Sequence, residues 1–519
     1  MRIEATGMDD MFLCVVLALL FLLLALNFCL RKCMQYRNLP PSPPALPIIG
    51  HLHLVNLPLH RSLDALSLKY GPIISLRFGS RRVMVISSPS AVEECLTTND
   101  IVFANRPPLT IQKYVGYNNT TLATASYGDH WRNLRRISSL EVFSSSRLNA
   151  FKDIRRDEIK IFLKKLYSVS SHDFAKVELK PMLTELTFNI IMRMVAGKRY
   201  YGEEVAGKDK AEAEQFREMI AEVFAYAGAS YLGDFLPFLK WIDYQGFVKR
   251  MMRLAKRTDR FLQNLIDEHR RDDKTRPERR KDTMIGHLIS MQESQPEYYT
   301  DEVIKGLVLD IVFGGTESSA VTLEWAMSNL LNHPQVLEKG KDELDSHIGE
   351  ESLMDESDIS KLPYLQNIIT ETMRLHPAGP LLIPHLSSQE CSVGGYHVEA
   401  DTMLLVNVWA IHRDPEFWED ASEFKPERFE SNAGQGSEAY KYLPFGLGRR
   451  SCPGMGLANR VVGFALGSMI QCFEWKRVSD QEIEMSEGRG LTMPKAEPLE
   501  ALCKARNNMK NVLSSSFQS

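Results

Sequence analysis

A chain of 519 residues, 44% hydrophobic and 25% charged, has ample material for a large packed core, and its length alone allows two or three average domains. A formal net charge of −4 offers no basic face, which argues against nucleic acid as a partner. Eight cysteines at irregular spacings form neither a disulfide framework nor a paired zinc motif, so free thiols in a reducing compartment are expected.

Residues 11–30, MFLCVVLALLFLLLALNFCL, are about twenty uncharged and mostly apolar positions, enough to cross a bilayer core as a helix. A cleaved signal peptide needs a basic leader, a shorter apolar core and a small-residue cleavage site. Here Glu4, Asp9 and Asp10 outweigh Arg2 in the leader, and the basic residues Arg31, Lys32 and Arg37 follow the span. The basic flank stays cytosolic. The pattern predicts an uncleaved single-pass anchor within residues 1–38, with a lumenal N-terminus, a cytosolic body and the endoplasmic reticulum as its membrane.

Residues 39–50 carry five prolines between Pro40 and Pro47 and read as a semi-rigid extended spacer, with bait for a proline-recognition domain as the competing reading. The remainder, 51–519, is expected to form one large domain. Alternation from Pro72 to Ile86 around Gly79-Ser80 predicts a strand pair. Beyond residue 89 the pattern is helical to about 380, so the fold class is mainly α with small β-sheets. Phe103 to Tyr127, with Pro107, Pro108 and Gly116, reads as a long loop. Asn118 and Asn119 each open an Asn-x-Thr sequon, accidental on a cytosolic body. Trp131 and Arg135 stand one helical turn apart, an ordinary surface pair taken alone. Leu232 to Ile242 is aromatic-rich and broken by Gly and Pro, either core packing or a membrane-facing lip. The mixed-charge run from Asp267 to Asp282 reads as a solvated helix end and loop.

Val303 to Leu331 has the apolar pattern of a long helix interrupted at Gly314-Gly315-Thr316-Glu317-Ser318-Ser319. Adjacent glycines and a serine able to bond back to an earlier carbonyl predict a kink, which would open space over a cofactor. A glycine-lightened contact between packed helices is the plainer alternative. Leu362 to Leu375 is another helix, ended by Pro377, with Glu371 and Arg374 on one face. His376, His385, Cys391 and His397 match no standard zinc spacing.

Phe445-Gly446-Leu447-Gly448-Arg449-Arg450-Ser451-Cys452-Pro453-Gly454 runs into an apolar segment from Val461 to Phe473. Pro453 is suited to a first helical position, which places the Cys452 sulfur at a helix N-terminus, where free N–H groups and Arg449 and Arg450 favour a thiolate. Such a thiolate can be the axial ligand of heme iron, with Gly448 and Gly454 letting backbone pass close and Arg450 able to pair with a propionate. Glu317 and Ser318 would then place an acid and a hydroxyl beside the iron, a route for the protons that cleave dioxygen. The competing readings are a phosphate-binding glycine loop, which lacks its third glycine, and an inert buried cysteine.

The spacing of Phe445, Gly448, Arg450, Cys452 and Gly454 resembles the heme-binding loop of the cytochrome P450 family in its plant form, and Gly314 to Ser319 resembles that family's oxygen-side segment. The likeness extends from the anchor to Gly488–Pro494. It implies the cytochrome P450 fold with one N-terminal transmembrane helix, and heme b ligated through Cys452. It also implies O2 as oxidant, and electrons from NADPH through a separate NADPH-cytochrome P450 reductase docking on basic side chains of the cysteine side. By the same resemblance Trp131, Arg135 and His385 contact the propionates, and Glu371 and Arg374 lock onto Arg428 of Pro426-Glu427-Arg428-Phe429 as structural supports. The pocket would take in Tyr114, Leu309, Phe313, Leu381, Leu382 and Thr492. Ser318 stands where the family usually has threonine, keeping the hydroxyl and losing the methyl that fixes its rotamer, which bears on coupling of reductant to product.

Lys113–Asn118 and Val321–Ala326 are similar to the plant isoflavone 2'-hydroxylase-like subgroup. That similarity implies a phenolic substrate of isoflavone, flavonoid, lignan, benzophenone or xanthone type. Aromatic hydroxylation is the leading reaction and oxidative intramolecular phenol coupling or ring closure the second. Readings of another class are a heme-thiolate isomerase or dehydratase and a non-catalytic heme sensor.

Overall fold

The computed structural model describes residues 15–19, 21–22, 38–202, 208–228, 231–275, 283–430 and 440–516. Most of the expected anchor lies outside the described residues; within it 15–19 and 21–22 are helical and exposed. Residues 276–282, the end of the mixed-charge run, lie outside them too, and its start belongs to a long helix.

The proline-rich stretch is without regular structure to residue 45 and then, unlike the extended spacer expected, turns tightly over 47–49 with Leu46 and Gly50 bonded to each other; it is docked rather than free. Ser75 N–H donates to Pro41 O at 2.9 Å, His51 N–H donates to Arg77 O at 2.6 Å, and Gly50 bridges Phe78. Proline lacks an N–H yet keeps its carbonyl, so it can lie along a sheet edge and only accept. That edge belongs to β1 (Ile73–Phe78), which forms a hairpin with β2 (Arg81–Ile86). The turn glycine, Gly79, has φ +56°, and a Cβ there would lie 2.1 Å from Phe235 O, so the tip of the hairpin seats the segment that follows residue 231. β2 pairs in parallel with β4 (Thr402–Val406), which pairs in turn with β3 (His385–Leu386). Residues 83–86 and all of β4 are buried, the continuous apolar run expected of strands covered on both faces. Two smaller sheets complete the β content, so the expected balance holds.

The helices that position the site are α1 (Asp129–Ile137), α2 (Leu179–Ala196), α3 (Lys208–Gly228), α4 (Phe247–Thr275), α5 (Asp301–Gly315), α6 (Glu317–Asn332), α7 (Pro363–Leu375) and α8 (Met455–Cys472). α5 starts where Thr300 accepts Val303 N–H and Asp301 and Glu302 complement the helix end. α6 is buried at every position from Ser319 to Leu331, which identifies it as a core helix. The break between α5 and α6 falls at Thr316 (φ −92°, ψ −67°), one residue past the two glycines. Gly315 packs where a Cβ would sit 2.7 Å from Ile191 Cδ1, so close packing against α2 holds that glycine in the helix.

One polar network is buried in this apolar mass. Glu371 and Arg374 on α7 are both fully buried, and all five guanidinium N–H groups of Arg374 are engaged. Two go to Glu371 at 2.7 and 2.9 Å, and three go to His412 O, Ala421 O and Glu423 O. Arg428 Nε and Lys425 N–H donate to the same carboxylate at 3.0 and 2.9 Å. His412 continues the network by donating Nδ1–H to Arg374 O at 3.0 Å and accepting Leu443 N–H on Nε2 at 2.8 Å. Burial, aided by Arg374, pushes His412 down to about 3, so the ring is neutral.

Arg374→Ala strips the buried Glu371 carboxylate of its bidentate partner, leaving Arg428 and Lys425 N–H, and orphans three carbonyls; it is expected to cost about 3–5 kcal/mol in urea unfolding, with Arg374→Lys recovering little because three donors cannot replace five. Between about 6.5, where the unfolded histidine titrates, and about 3, its folded value, the unfolded chain binds a proton that folded His412 refuses. Stability therefore falls as pH drops through that window, and His412→Gln is expected to reduce the slope of the urea midpoint between pH 6 and 4.

Candidate active site

The cysteine loop is closed by Cys452 N–H donating to Phe445 O at 2.8 Å. Gly446 and Gly448 both take φ +69°, and at Gly448 a Cβ would lie 2.4 Å from Leu96 O, so glycine alone fits. α8 begins at Met455 with Gly454 as its N-cap, two residues beyond the first helical position expected at Pro453. The N–H groups of Gly454 and Met455 both reach the Cys452 sulfur. Contrary to the sequence expectation, burial pushes the thiol up, and these two N–H groups with Arg135 only partly oppose it. Arg449 does not contribute, because it pairs with Asp100 at 2.9 Å. Cys452 is nonetheless exposed, whereas Cys95, Cys472 and Cys503 are buried: its sulfur sits in a recess that solvent enters and protein surrounds.

Three of the expected propionate contacts gather beside that loop. Arg135 donates to Ser451 O at 2.7 Å. Arg450 reaches Ala104 O at 2.7 Å, Leu122 O at 3.3 Å and Ala125 O, and its guanidinium stacks 4.3 Å from the Trp131 ring. Trp131 Nε1–H donates to Leu122 O at 3.1 Å. His385 is different. It is buried on β3 and donates Nδ1–H to Phe103 O at 2.8 Å, and burial beside Arg106 and Arg450 drives its pKa well down. The neutral ring then offers the lone pair of Nε2. Arg106, which sequence reading passed over, donates to Ile383 O, Pro384 O and Ala123 O and clamps the strand before His385.

At the α5–α6 break Gly314 is exposed, with nothing within 4 Å of where its Cβ would be, so this turn borders open space. Ser318 donates to Gly314 O at 2.8 Å and holds the widened turn. Glu317 lines a cavity of about 540 Å³ between α2, α3, α6 and the 489–491 segment. Its walls are largely apolar, including Phe188, Phe224 and Leu491, with Lys180, Arg217, Glu324 and Arg489 as charged members beside Glu317. Burial raises the Glu317 carboxyl, while Thr492 and Lys180 pull it back. The Thr492 hydroxyl is buried and directed at the Glu317 carboxyl, one residue beyond the wall segment 489–491.

The other expected pocket residues are less directly placed. Phe313 stacks on the wall residue Phe224 at 4.3 Å. Leu309 is buried, Tyr114 packs against the same core, and Leu381 and Leu382 pack at the sheet, none of them on the cavity wall.

A flat dicarboxylate macrocycle held through sulfur needs a reachable thiol with N–H donors, cations for its acids and small residues where backbone comes near. Cys452, the Arg135, Arg450 and Trp131 cluster, and Gly448 and Gly454 meet each requirement, so the residues fit heme. Gly448→Ala is expected to cost about 1–3 kcal/mol and to lower the heme retained per chain after gel filtration. Gly314→Ala, with open space around it, is expected to leave stability unchanged or slightly raised in urea unfolding.

Residues 40–500 match the cytochrome P450 family. An isoflavone 3'-hydroxylase from Medicago truncatula is 55% identical over 91% of this chain and 93% of its own. A (+)-piperitol/(+)-sesamin synthase from Sesamum radiatum is 53% identical over 92% of both chains. A zebra fish cytochrome P450 solved with abiraterone superposes with a TM-score of 0.72 at 25% identity, covering 87% of this chain and all of that one. With its recessed thiol and helical fold, this chain belongs to the cytochrome P450 family of heme-thiolate monooxygenases, which draw electrons from NADPH through a redox partner.

Proposed function

We propose that this protein hydroxylates an aromatic ring of a plant phenolic of the isoflavone, flavonoid or lignan kind. The observation that carries the reading is the recessed Cys452 thiol with its two N–H donors, in a chain more than half identical to an isoflavone 3'-hydroxylase. Heme bound through the Cys452 thiolate supplies the oxygen activation. The protein supplies the rest. Gly454 and Met455 N–H groups moderate the sulfur, Arg135, Arg450 and Trp131 hold the propionates, and the exposed Gly314 turn leaves room for dioxygen. Glu317, its carboxyl raised by burial, holds a proton at its Oε atoms beside the cavity, and Ser318 keeps the adjoining turn open. The apolar cavity walls orient the ring. Oxidative ring closure is the second reading, favoured by the likeness to the sesamin synthase.

The division into anchor, proline-rich hinge and catalytic domain, and residence in the endoplasmic reticulum membrane, belong to the same proposal. Leu46 and Ile48 of the hinge are exposed, and so are Phe238, Trp241 and Ile242, with Trp241 88% open. The tip of the hairpin ties the two stretches together, Gly79 N–H donating to Ile49 O at 3.1 Å and Ser80 N–H to Phe235 O at 2.8 Å. An apolar patch of this kind beside an anchor suits contact with the bilayer.

Membranes carrying the protein and a plant reductase, given NADPH and a panel of phenolics, are expected to yield a product one oxygen heavier than substrate. A product two hydrogens lighter would decide for ring closure, and turnover without NADPH would overturn the monooxygenase reading. Ser318→Thr is expected to raise product formed per NADPH oxidised, up to about twofold, because the added methyl restricts the hydroxyl to fewer rotamers.

A further inference from the structure

The cover loop over residues 108–125 is held by three aspartates from three different elements. Asp234, buried, accepts Thr110 N–H at 3.0 Å and the Thr110 hydroxyl at 2.6 Å. Asp259 on α4 accepts the Tyr117 hydroxyl at 3.2 Å and pairs with Lys305 of α5. Asp310 on α5 accepts Ala123 N–H at 2.9 Å, with Leu122 N–H and the Thr121 hydroxyl also directed to it. Between the second and third holds, Tyr117, Asn118 and Asn119 take φ of 48°, 56° and 62°. Left-handed backbone costs about 1–2 kcal/mol per non-glycine residue, so this shape is imposed by what grips the loop on either side.

The third hold differs from the other two in what lies behind it. Leu122 and Ala123 turn their N–H groups to Asp310, Thr124 and Ala125 donate theirs to Thr121 O, and the carbonyls of the strip face the other way. Leu122 O accepts Trp131 and Arg450, Ala123 O accepts Arg106 at 3.3 Å, and Ala125 O accepts Arg450. A single thickness of peptide therefore separates the α5 carboxyl from the donors proposed for the propionates. We infer that Asp310 is a positioning residue, which by gripping the 122–125 strip fixes where Trp131, Arg106 and Arg450 stand. The grip is independent of the proposed function; its consequence at the heme edge rests on that reading of Trp131 and Arg450.

The surroundings give the grip a pH dependence. Among the described residues no charged side chain pairs with Asp310. Arg106 and Arg450 act on the far side of the strip, His130 of α1 donates to Thr120 O, Lys305 on the same helix is taken by Asp259 of α4, and Glu302 acts on Tyr117. Burial, with no cation to offset it, raises the Asp310 carboxyl to about 7. Release of the strip would return it to the usual carboxylate range near 4. Opening therefore frees a proton between those values, so the closed strip is favoured at low pH and is weakened about tenfold between pH 6 and 8.

The test is hydrogen exchange on the full chain in nanodiscs, reading peptides across residues 118–127 as protection corrected for intrinsic rate, with heme retained per chain read in parallel. Wild-type protection is expected to fall about tenfold from pH 6 to 8. Asp310→Asn, isosteric and always neutral, is expected to keep the pH 6 level at both values. Asp310→Ala is expected to lose protection and heme at both. Asp259→Asn should loosen the loop at Tyr117 and leave 122–123 as in wild type. The wild-type pH trend surviving in Asp310→Asn, or full protection in Asp310→Ala, would overturn the grip. Lost protection with heme fully retained would overturn the link to Trp131 and Arg450, whereas a wild-type chain holding no heme would remove the heme-edge reading and leave exchange to decide the grip. If Asp310→Ala does not fold, wild type against Asp310→Asn still decides.

Discussion

The cysteine end of the molecule depends on one buried guanidinium. Arg374 sits in the apolar interior with every N–H satisfied, so its desolvation is offset only because Glu371 and three carbonyls are all in place together. That all-or-none quality lets a loop be held far from its support. His412 reads the position of Arg374 through one ring nitrogen and hands it to Leu443 through the other, and two residues on, Phe445 O takes the N–H of Cys452. A neutral imidazole, donor on one side and acceptor on the other, suits the relay; a charged one could not accept.

The other half of the site follows from a conflict resolved along one helix. From Ser319 onward the helix must be buried on all sides, while the stretch before it must leave an open face at Gly314 and close contact at Gly315. Two glycines meet both demands, and the backbone concedes at Thr316, the first residue past them. The freed turn is then stabilised from within, by Thr316 bonding to Val312 O and Ser318 to Gly314 O. Glu317 is carried out of the helix line onto the cavity wall, where burial alters its proton affinity.

What could be read from the sequence was whatever chemistry forces into a fixed spacing. The cysteine loop, the Glu371–Arg374 pair, the broken helix and the Gly79 hairpin were all visible, because each needs particular residues at particular intervals, whereas the tie to Arg428 was implied by the resemblance alone. What was hidden depends on distant chain segments meeting. His385 bonds to Phe103, the thiol is raised by surrounding mass that no local pattern reports, and the proline run docks along β1 because a sheet edge happens to lie there. Leu309, placed in the pocket by the resemblance, is buried on α5. Asp310 did leave a trace: it is the one charged letter in the apolar run from Gly306 to Gly315.

The turn at Tyr117-Asn118-Asn119 bears on how short motifs are interpreted. Asparagine is among the few side chains that settle into left-handed backbone, because its short amide can bond locally. Both asparagines of the overlapping sequons hold that conformation, and Thr120 and Thr121 after them complete two overlapping carbohydrate addresses. Left-handed backbone favours Asn, Asp and Gly at these two places, so a chain that adopts this turn can spell the address whichever side of a membrane it occupies. Counting such addresses to infer a secreted life would then be measuring backbone geometry.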